Sequence, residues 1–420
     1  MNSVCVLGLG YIGLPTASIL ATHGFTVIGV DVNEKVIARL KEGKPHIQEP
    51  GLRTIVEAAV KSGNLILRTK PEEADAFIIA VPTPVTPEKK ADLSFVKAAA
   101  ESIVPVLRPG NLVVLESTCL PGTAENFLTP ILARSGMRIG QEVFVAYCPE
   151  RVLPGKILKE IVENDRVIGG INPESAAKAK ELYGAFVEGK LFLTDATTAE
   201  MVKLIENTYR DVNIALANEL AIVCEELGIN AWEVIELANR HPRVSLHNPG
   251  PGVGGHCLPV DPWFVVEKFP TQARLIRLSR EINDRQPYRV FELVAEMTRN
   301  IPGPKVAVLG VTYKGNVDDI RESPATVLIE LLKERGYSVA AHDPYVKEFE
   351  HELVSLEEAF RGADCAVAMA DHDQYRYLDP NTLGKLMRNR QVLDTRRVLN
   401  AAVWRSAGFR VKVLGSGERA

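Results

Sequence analysis

"SVCVLGLGYIGLPTASILATHGFTVIGVD", Ser3 to Asp31, decides how this chain folds. Val4 to Leu7 is a short apolar run rich in valine, as expected of a strand buried on both faces of a parallel sheet. Three glycines follow at Gly8, Gly10 and Gly13. A helical pattern then runs to Gly24, and Thr26 to Val30 is a second apolar strand that ends on Asp31. Strand, glycine turn, helix and strand in this order make one parallel βαβ unit.

The same alternation continues outward. "ADAFIIAVPTP", "GNLVVLEST" and "EVFVAYCPE" read as further strands, so a parallel sheet with crossover helices is expected over residues 1–195. From Thr197 to Asn239 no strand signal exists. Apolar residues recur there at helical spacing up to Gly228, which reads as a helix stop. A second helical pattern, "NAWEVIELANR", follows. Another long one runs through "QARLIRLSREINDRQPYRVFELVAEMTRN", and helices of this length bridge domains or build a dimer interface. At Lys305 strands return with "KVAVLGVTYKG", an echo of "VCVLGLGYIG". The expected fold class is α/β: two Rossmann-like doubly wound parallel-sheet domains joined by a long-helix central domain. The expected boundaries are 1–195, 196–302 and 303–420.

The 420 residues are 46% apolar and 24% charged, an ordinary globular composition. A net charge of −4 offers no basic surplus for nucleic acid or anionic membrane. No apolar run reaches the roughly 18 residues of a membrane span. The N-terminus shows no basic leader or cleavage site, so a cytoplasmic protein is expected. Six cysteines lie without metal spacing and read as reduced thiols. Cys5, Cys224 and Cys365 sit in apolar patterns as small core residues.

Gly8, Gly10 and Gly13 have the G-x-G-x-x-G spacing of a dinucleotide turn, with Tyr11 and Ile12 inside it. The pyrophosphate would rest on the helix N-terminus. Asp31 would take the ribose hydroxyls and repel a 2′-phosphate, which favours NAD; Lys35 stands one helical turn on. Thr83 and Thr118 follow strand ends, the edge where open parallel sheets bind ligands.

"GPGVGGHCLPVDPWF", Gly250 to Phe264, packs four glycines and three prolines around Cys257. A thiol held so rigidly beside a nicotinamide suggests covalent aldehyde chemistry. Lys203, Asn207 and Arg210 are spaced to share one helix face, with Lys203 a usable acid–base. Lys314, Asp318, Asp319 and Arg321 follow the first strand of the C-terminal domain. A phosphate-binding turn and a salt-bridge network both fit that cluster.

With "GLGYIGLPTA", "VPTP", "STCLPGT", "YCPERVLPG", "KLIENTYRDVNIALANELA", "GVGGHCLPVDPWF", "TYKGNVDDIRESPA" and "DTRRVL" in order, the chain resembles the UDP-glucose/UDP-N-acetylmannosamine 6-dehydrogenase family over nearly its whole length. The resemblance implies an NAD-dependent, four-electron oxidation of a UDP-sugar at C6 through a Cys257 thioester, in a homo-oligomer. It implies Cys257 as nucleophile and Lys203 as acid–base, with Asn207, Asp261 and Glu150 assisting. Arg151, Val152, Arg210, His241, Arg243, Tyr313, Lys314 and Arg396, beside Lys203 and Asn207, match substrate contacts, with Arg243 reaching a neighbouring subunit. Arg321 matches a cofactor contact. His256 and Val260 stand where members acting on UDP-glucose carry serine and lysine. "GGHC" is shared by members acting on either UDP-N-acetylmannosamine or UDP-N-acetylglucosamine, and "HPRVSLHNPGPGVGGHCLPVDPWF" is most similar to the first.

Overall fold

β1 (Ser3–Leu7) sits inside its sheet because both of its faces are apolar. Val4 and Val6 join one buried cluster with Leu14 and Val114. Cys5 and Leu7 join another, on the opposite face, with Phe77 and Val113. This is the two-sided burial that parallel strands require.

A computed structural model describes residues 1–153 and 155–417. They divide into two units, Met1–Glu206 with Trp263–Pro270, and Asn207–Pro262 with Thr271–Ala420. In the first, β1 is joined by β2 (Thr26–Val30), β3 (Leu65–Arg68), β4 (Ala76–Ile79), β5 (Leu112–Leu115), β6 (Phe144–Tyr147), β7 (Arg166–Gly170) and β8 (Leu191–Asp195). Their order is β3-β2-β1-β4-β5-β6-β7-β8. The helices that matter below are α1 (Gly13–Thr22), α2 (Glu34–Lys41), α3 (Pro173–Tyr183) and the start of α4 (Ala196–Leu227).

The sheet departs from the parallel expectation at one place. β7 runs antiparallel to β6, pairing Gly169 with Tyr147 and Gly170 with Ala146. Glycine is needed at both positions: a Cβ on Gly169 would lie 2.4 Å from Asp195 O, and one on Gly170 2.4 Å from Ala176 N. The reversal brings the start of β7, Arg166, to the same sheet edge as the C-terminal end of β6.

The second unit holds β9 (Lys305–Leu309), β10 (Ser338–His342), β11 (Cys365–Ala368), β12 (Gln391–Asp394) and β13 (Arg410–Val413), in the order β10-β9-β11-β12-β13 and all parallel. Helices α5 (Ala231–Ala238), α7 (Arg274–Asp284) and α8 (Gln286–Met297) belong to it, and α6 (Asp261–Lys268) begins in it. α4 stops before Gly228, whose φ of +73° is the left-handed conformation glycine tolerates. The long pattern from Gln272 to Asn300 is two helices. Pro287 sits in the first turn of α8, where it cannot donate to the carbonyl of residue 283. Among the described residues no helix is long and apolar enough to cross a membrane.

Polar side chains bolt α4 to α7. Arg280, fully buried, pairs with Asp211, also fully buried, and with Asp284. Asn283 Nδ2 donates to Asp211 O at 2.9 Å. Removing one partner of a buried pair leaves a charge without compensation, which costs about 3–5 kcal/mol. Arg280→Met is expected to lower the stability of the second unit by that amount, measured by urea unfolding.

Candidate active site

Gly8 takes φ +90° at the end of β1, and a Cβ there would stand 2.6 Å from Ala80 O. A Cβ on Gly13, at the start of α1, would stand 1.8 Å from Gly8 O. Gly10 faces open space. α1 has no acidic residue in its first turn and no side-chain cap, so its N-terminal amides remain available to an anion. Asp31 Oδ2 accepts from Leu9 N at 3.1 Å and Oδ1 from Asn33 N at 2.9 Å, which fixes the carboxylate beside the turn. These residues fit a dinucleotide. Tyr11 is exposed, Ile12 is the N-cap residue of α1, and Lys35 is exposed on α2. Thr83 and Thr118 are half-buried beyond β4 and β5. Ser117 Oγ joins their loops by donating to Val81 O at 2.7 Å. Glu200, on α4, caps the loop after Thr118 through the amides of Gly122 and Ala124.

At the edge of β5, β6 and β7 lies a buried ionic cluster. Glu150 Oε2 accepts from Arg166 Nη2 at 2.6 Å, and Oε1 accepts from Arg151 N at 2.8 Å. Arg151 Nη1 donates to Glu206 at 2.7 Å. Val152 packs against the core below. Glu116 Oε1 accepts from the Tyr183 hydroxyl at 2.6 Å. Burial pushes the Glu116 carboxyl up to about 7, against the pull of Arg166 and aided by the charge of Glu150. Sequence reasoning missed Glu116, Arg166 and Tyr183. Glu116 was visible only as an acid in an apolar strand end. Lys203 is half-buried on α4.

In the second unit the thiol loop is fastened along its length. Gly250 N donates to Asn218 Oδ1 at 2.9 Å and Gly255 N to Arg321 O at 2.9 Å. Tyr313 lies against the loop: a Cβ on Gly254 would be 2.4 Å from Tyr313 Cβ, and one on Gly255 3.1 Å from its ring. That close approach is why glycine stands at both positions. Cys257 O accepts from the amides of Val260 and Asp261, at 3.0 and 2.8 Å. Asp261 Oδ2 accepts from Asn207 Nδ2 at 2.6 Å. Cys257, Asp261 and Asn207 are thus brought together. Five cysteines are buried, and Cys257 is partly exposed. Burial, followed by the charge of Asp319, raises the Tyr313 phenol. Of the basic and acidic cluster, Arg321 pairs with Asp319 at 2.6 Å, while Lys314 and Asp318 point to solvent. Arg210, His241 and Arg243 are exposed, and the Arg210 charge is felt at Tyr313.

A cavity of about 720 Å³ opens at the C-terminal edge of β11 and β12. Arg240, Arg376, Arg396 and Arg397 line it against two acids, Glu236 and Asp371. Its surplus of guanidinium groups suits an anion. Arg396 is held by Met369 O and Tyr313 O, both at 3.3 Å, and Arg397 lies over the Trp232 ring.

The second glycine turn repeats the first but is closed. Asp343, after β10, accepts from Val311 N at 2.8 Å as Asp31 does from Leu9 N. It also accepts from His372 Nε2 at 3.0 Å, and His372 is fully buried. The Asn316 amide donates to His372 Nδ1 at 2.9 Å, so the ring proton sits on Nε2 and points at Asp343.

Residues 2–187 match the NAD binding domain of the UDP-glucose/GDP-mannose dehydrogenase family, 197–285 its central domain and 307–401 its UDP binding domain. The chain belongs to that family. It is 53% identical to UDP-N-acetyl-D-mannosamine dehydrogenase of Methanocaldococcus jannaschii over 99% of this chain and 97% of the relative. NDP-N-acetyl-D-galactosaminuronic acid dehydrogenase of Ralstonia nicotianae is 47% identical over 95% of this chain and 97% of its own. The structure of the UDP-D-ManNAc dehydrogenase of Pyrococcus horikoshii superposes with a TM-score of 0.93 at 41% identity, covering 99% of this chain and 100% of that one. This UDP-glucose/GDP-mannose dehydrogenase family member is an NAD-dependent UDP-sugar dehydrogenase.

The buried cluster gives a signed pH prediction. Glu116 ionises near 4.5 in the unfolded chain and near 7 when folded, so the folded state holds the extra proton between those values. Its contribution to stability therefore falls as pH rises through that window. Glu116→Gln has no such proton to lose. The stability advantage of the variant over the parent, measured by urea unfolding, is expected to grow from pH 4.5 and level off above about 7.

Proposed function

We propose that the chain oxidises UDP-N-acetyl-D-mannosamine at C6 to UDP-N-acetyl-D-mannosaminuronate, removing four electrons. The observation that carries this reading is the partly exposed Cys257 thiol, in a loop fastened at Gly250 and Gly255 and tied through Asp261 to Asn207. The acetamido sugar is supported by the relatives in Methanocaldococcus and Pyrococcus.

NAD, when bound, takes up one hydride at each of the two oxidations. Lys203 accepts the C6 hydroxyl proton in the first, which leaves an aldehyde. The Cys257 thiolate then adds to the aldehyde carbon. Loss of the second hydride from that adduct gives a thioester. Water attacks the thioester carbon, the C–S bond breaks, and the thiolate leaves with its electron pair. Asn207 and Asp261 orient the water and Lys203, and Glu150 assists at the same carbon. Gly8, Gly10, Gly13 and Asp31 hold the dinucleotide, with Tyr11, Ile12, Lys35, Thr83, Thr118 and Arg321 beside it. The UDP group falls to Tyr313, Lys314, Arg396 and the arginine-lined cavity, and Arg151, Val152, Arg210, His241 and Arg243 complete the substrate contacts. Residues 1–195 serve the cofactor, 196–302 carry the thiol loop, and 303–420 hold UDP.

The working form is a cytoplasmic homo-oligomer. Tyr209, Leu216, Val223 and Leu227 are all exposed on α4. Their spacings of seven and four residues put them on one stripe, the pattern of a helix that buries a seam.

With UDP-N-acetylmannosamine, two NADH are expected per sugar consumed, and no turnover of its glucosamine epimer. One NADH from either sugar sinks the thioester route. Two from the glucosamine epimer alone would leave the route intact and change the substrate. Cys257→Ala is expected to lower uronate formation on the order of 10³-fold, measured by product chromatography. Leu216→Glu is expected to shift sedimentation equilibrium toward the monomer mass.

A further inference from the structure

Arg166 is buried at 3% exposure and its partner Glu150 at 6%. The guanidinium is enclosed on every side. Nη2 donates to Glu150 and to Ile161 O at 3.2 Å, Nη1 faces Cys148 Sγ, and the Tyr183 and Phe186 rings lie 5.0 and 5.7 Å from its carbon. Such a pair is a poor way to gain stability, because desolvating both ions offsets their attraction, and apolar replacements are often neutral or better. What the pair does supply is geometry. Each Glu150 oxygen has its own donor, Arg166 Nη2 on one and Arg151 N on the other, so the carboxylate has one orientation. The other carboxyl in the cluster is hydrogen-bonded elsewhere. Glu116 takes the Tyr183 hydroxyl and burial raises its carboxyl, while Glu150 makes the hydrogen-bonded ion pair with Arg166.

We infer that Arg166 is a positioning residue, which fixes the Glu150 carboxylate for the chemistry at the sugar carbon and acts on the reaction only through Glu150. This rests on the reading that Glu150 serves that carbon. Arg166 itself touches neither substrate nor cofactor.

The test is a double-mutant cycle in the full-length enzyme with Glu150→Gln, Arg166→Met and both together, with Arg166→Lys as the conservative variant. NADH formation from UDP-N-acetylmannosamine gives kcat and both KM values, and thermal unfolding reports folding. Arg166→Met is expected to lower kcat roughly 10- to 100-fold with both KM values within about twofold. In the Glu150→Gln background the same change is expected to cost less than about threefold more. Arg166→Lys, which keeps a charge for Glu150, is expected to recover most of the loss. Fully multiplicative losses in the double variant, with Glu150→Gln itself impaired, overturn the inference and leave the role of Glu150 standing. Wild-type kcat in Glu150→Gln removes that role and the inference with it. Should Arg166→Met fail to fold, Arg166→Lys decides. A Lys variant that folds with kcat lowered about two- to fivefold, both KM values unchanged, and no such loss when the same change is made in the Glu150→Gln background supports the inference, and any other pattern overturns it.

Discussion

The hydrogen bond from Asn207 to Asp261 is the joint on which the thiol depends. Asp261 opens α6, and its amide is bonded to the carbonyl of Cys257. The far end of the same loop, Gly250, is bonded to Asn218. Both anchors stand on α4, eleven residues and about 16 Å apart along a rigid rise. One helix therefore sets both ends of the loop, and the buried Arg280–Asp211 pair holds that helix against α7. A flexible connection at any of these points would let the sulfur wander, whatever the rigidity of the glycine–proline run itself.

Tyr313 closes the arrangement from the other side. Its ring occupies the space that side chains at positions 254 and 255 would need. The glycines are thus part of a packed contact between loop and β9 turn. The same turn is held by Arg396 through Tyr313 O and by His372 through the Asn316 amide. The chain spends many polar side chains on keeping loops still, and few of them face solvent.

Much of this was legible in the sequence. The strand–glycine–helix order around Gly8 and Asp31 announced the first sheet, because short-range pattern and sheet burial agree there. The Cys257 loop announced itself by composition. What could not be read was anything that depends on strands distant in sequence meeting at one edge. Arg166 and Glu150 are 16 residues apart, and Tyr183 and Glu116 are 67 apart. Arg166 meets Glu150 because β7 runs antiparallel to β6, and that reversal has no local signature. The break between α7 and α8 was visible as Pro287, but a proline in the first turn of a helix is compatible with either one bent helix or two.

The chain contains the glycine turn twice, and the two copies have diverged in one respect. The Asp31 carboxylate accepts from the backbone amides of Leu9 and Asn33, whereas Asp343 is sealed by His372. On the proposed four-electron route, the open turn at Asp31 would have to serve two successive oxidations. The spent carrier has to depart and a fresh one arrive while the sugar is half-converted. A freely diffusing aldehyde would escape during that exchange. On the proposed route, anchoring the carbon to the Cys257 sulfur would turn that waiting period into a committed one.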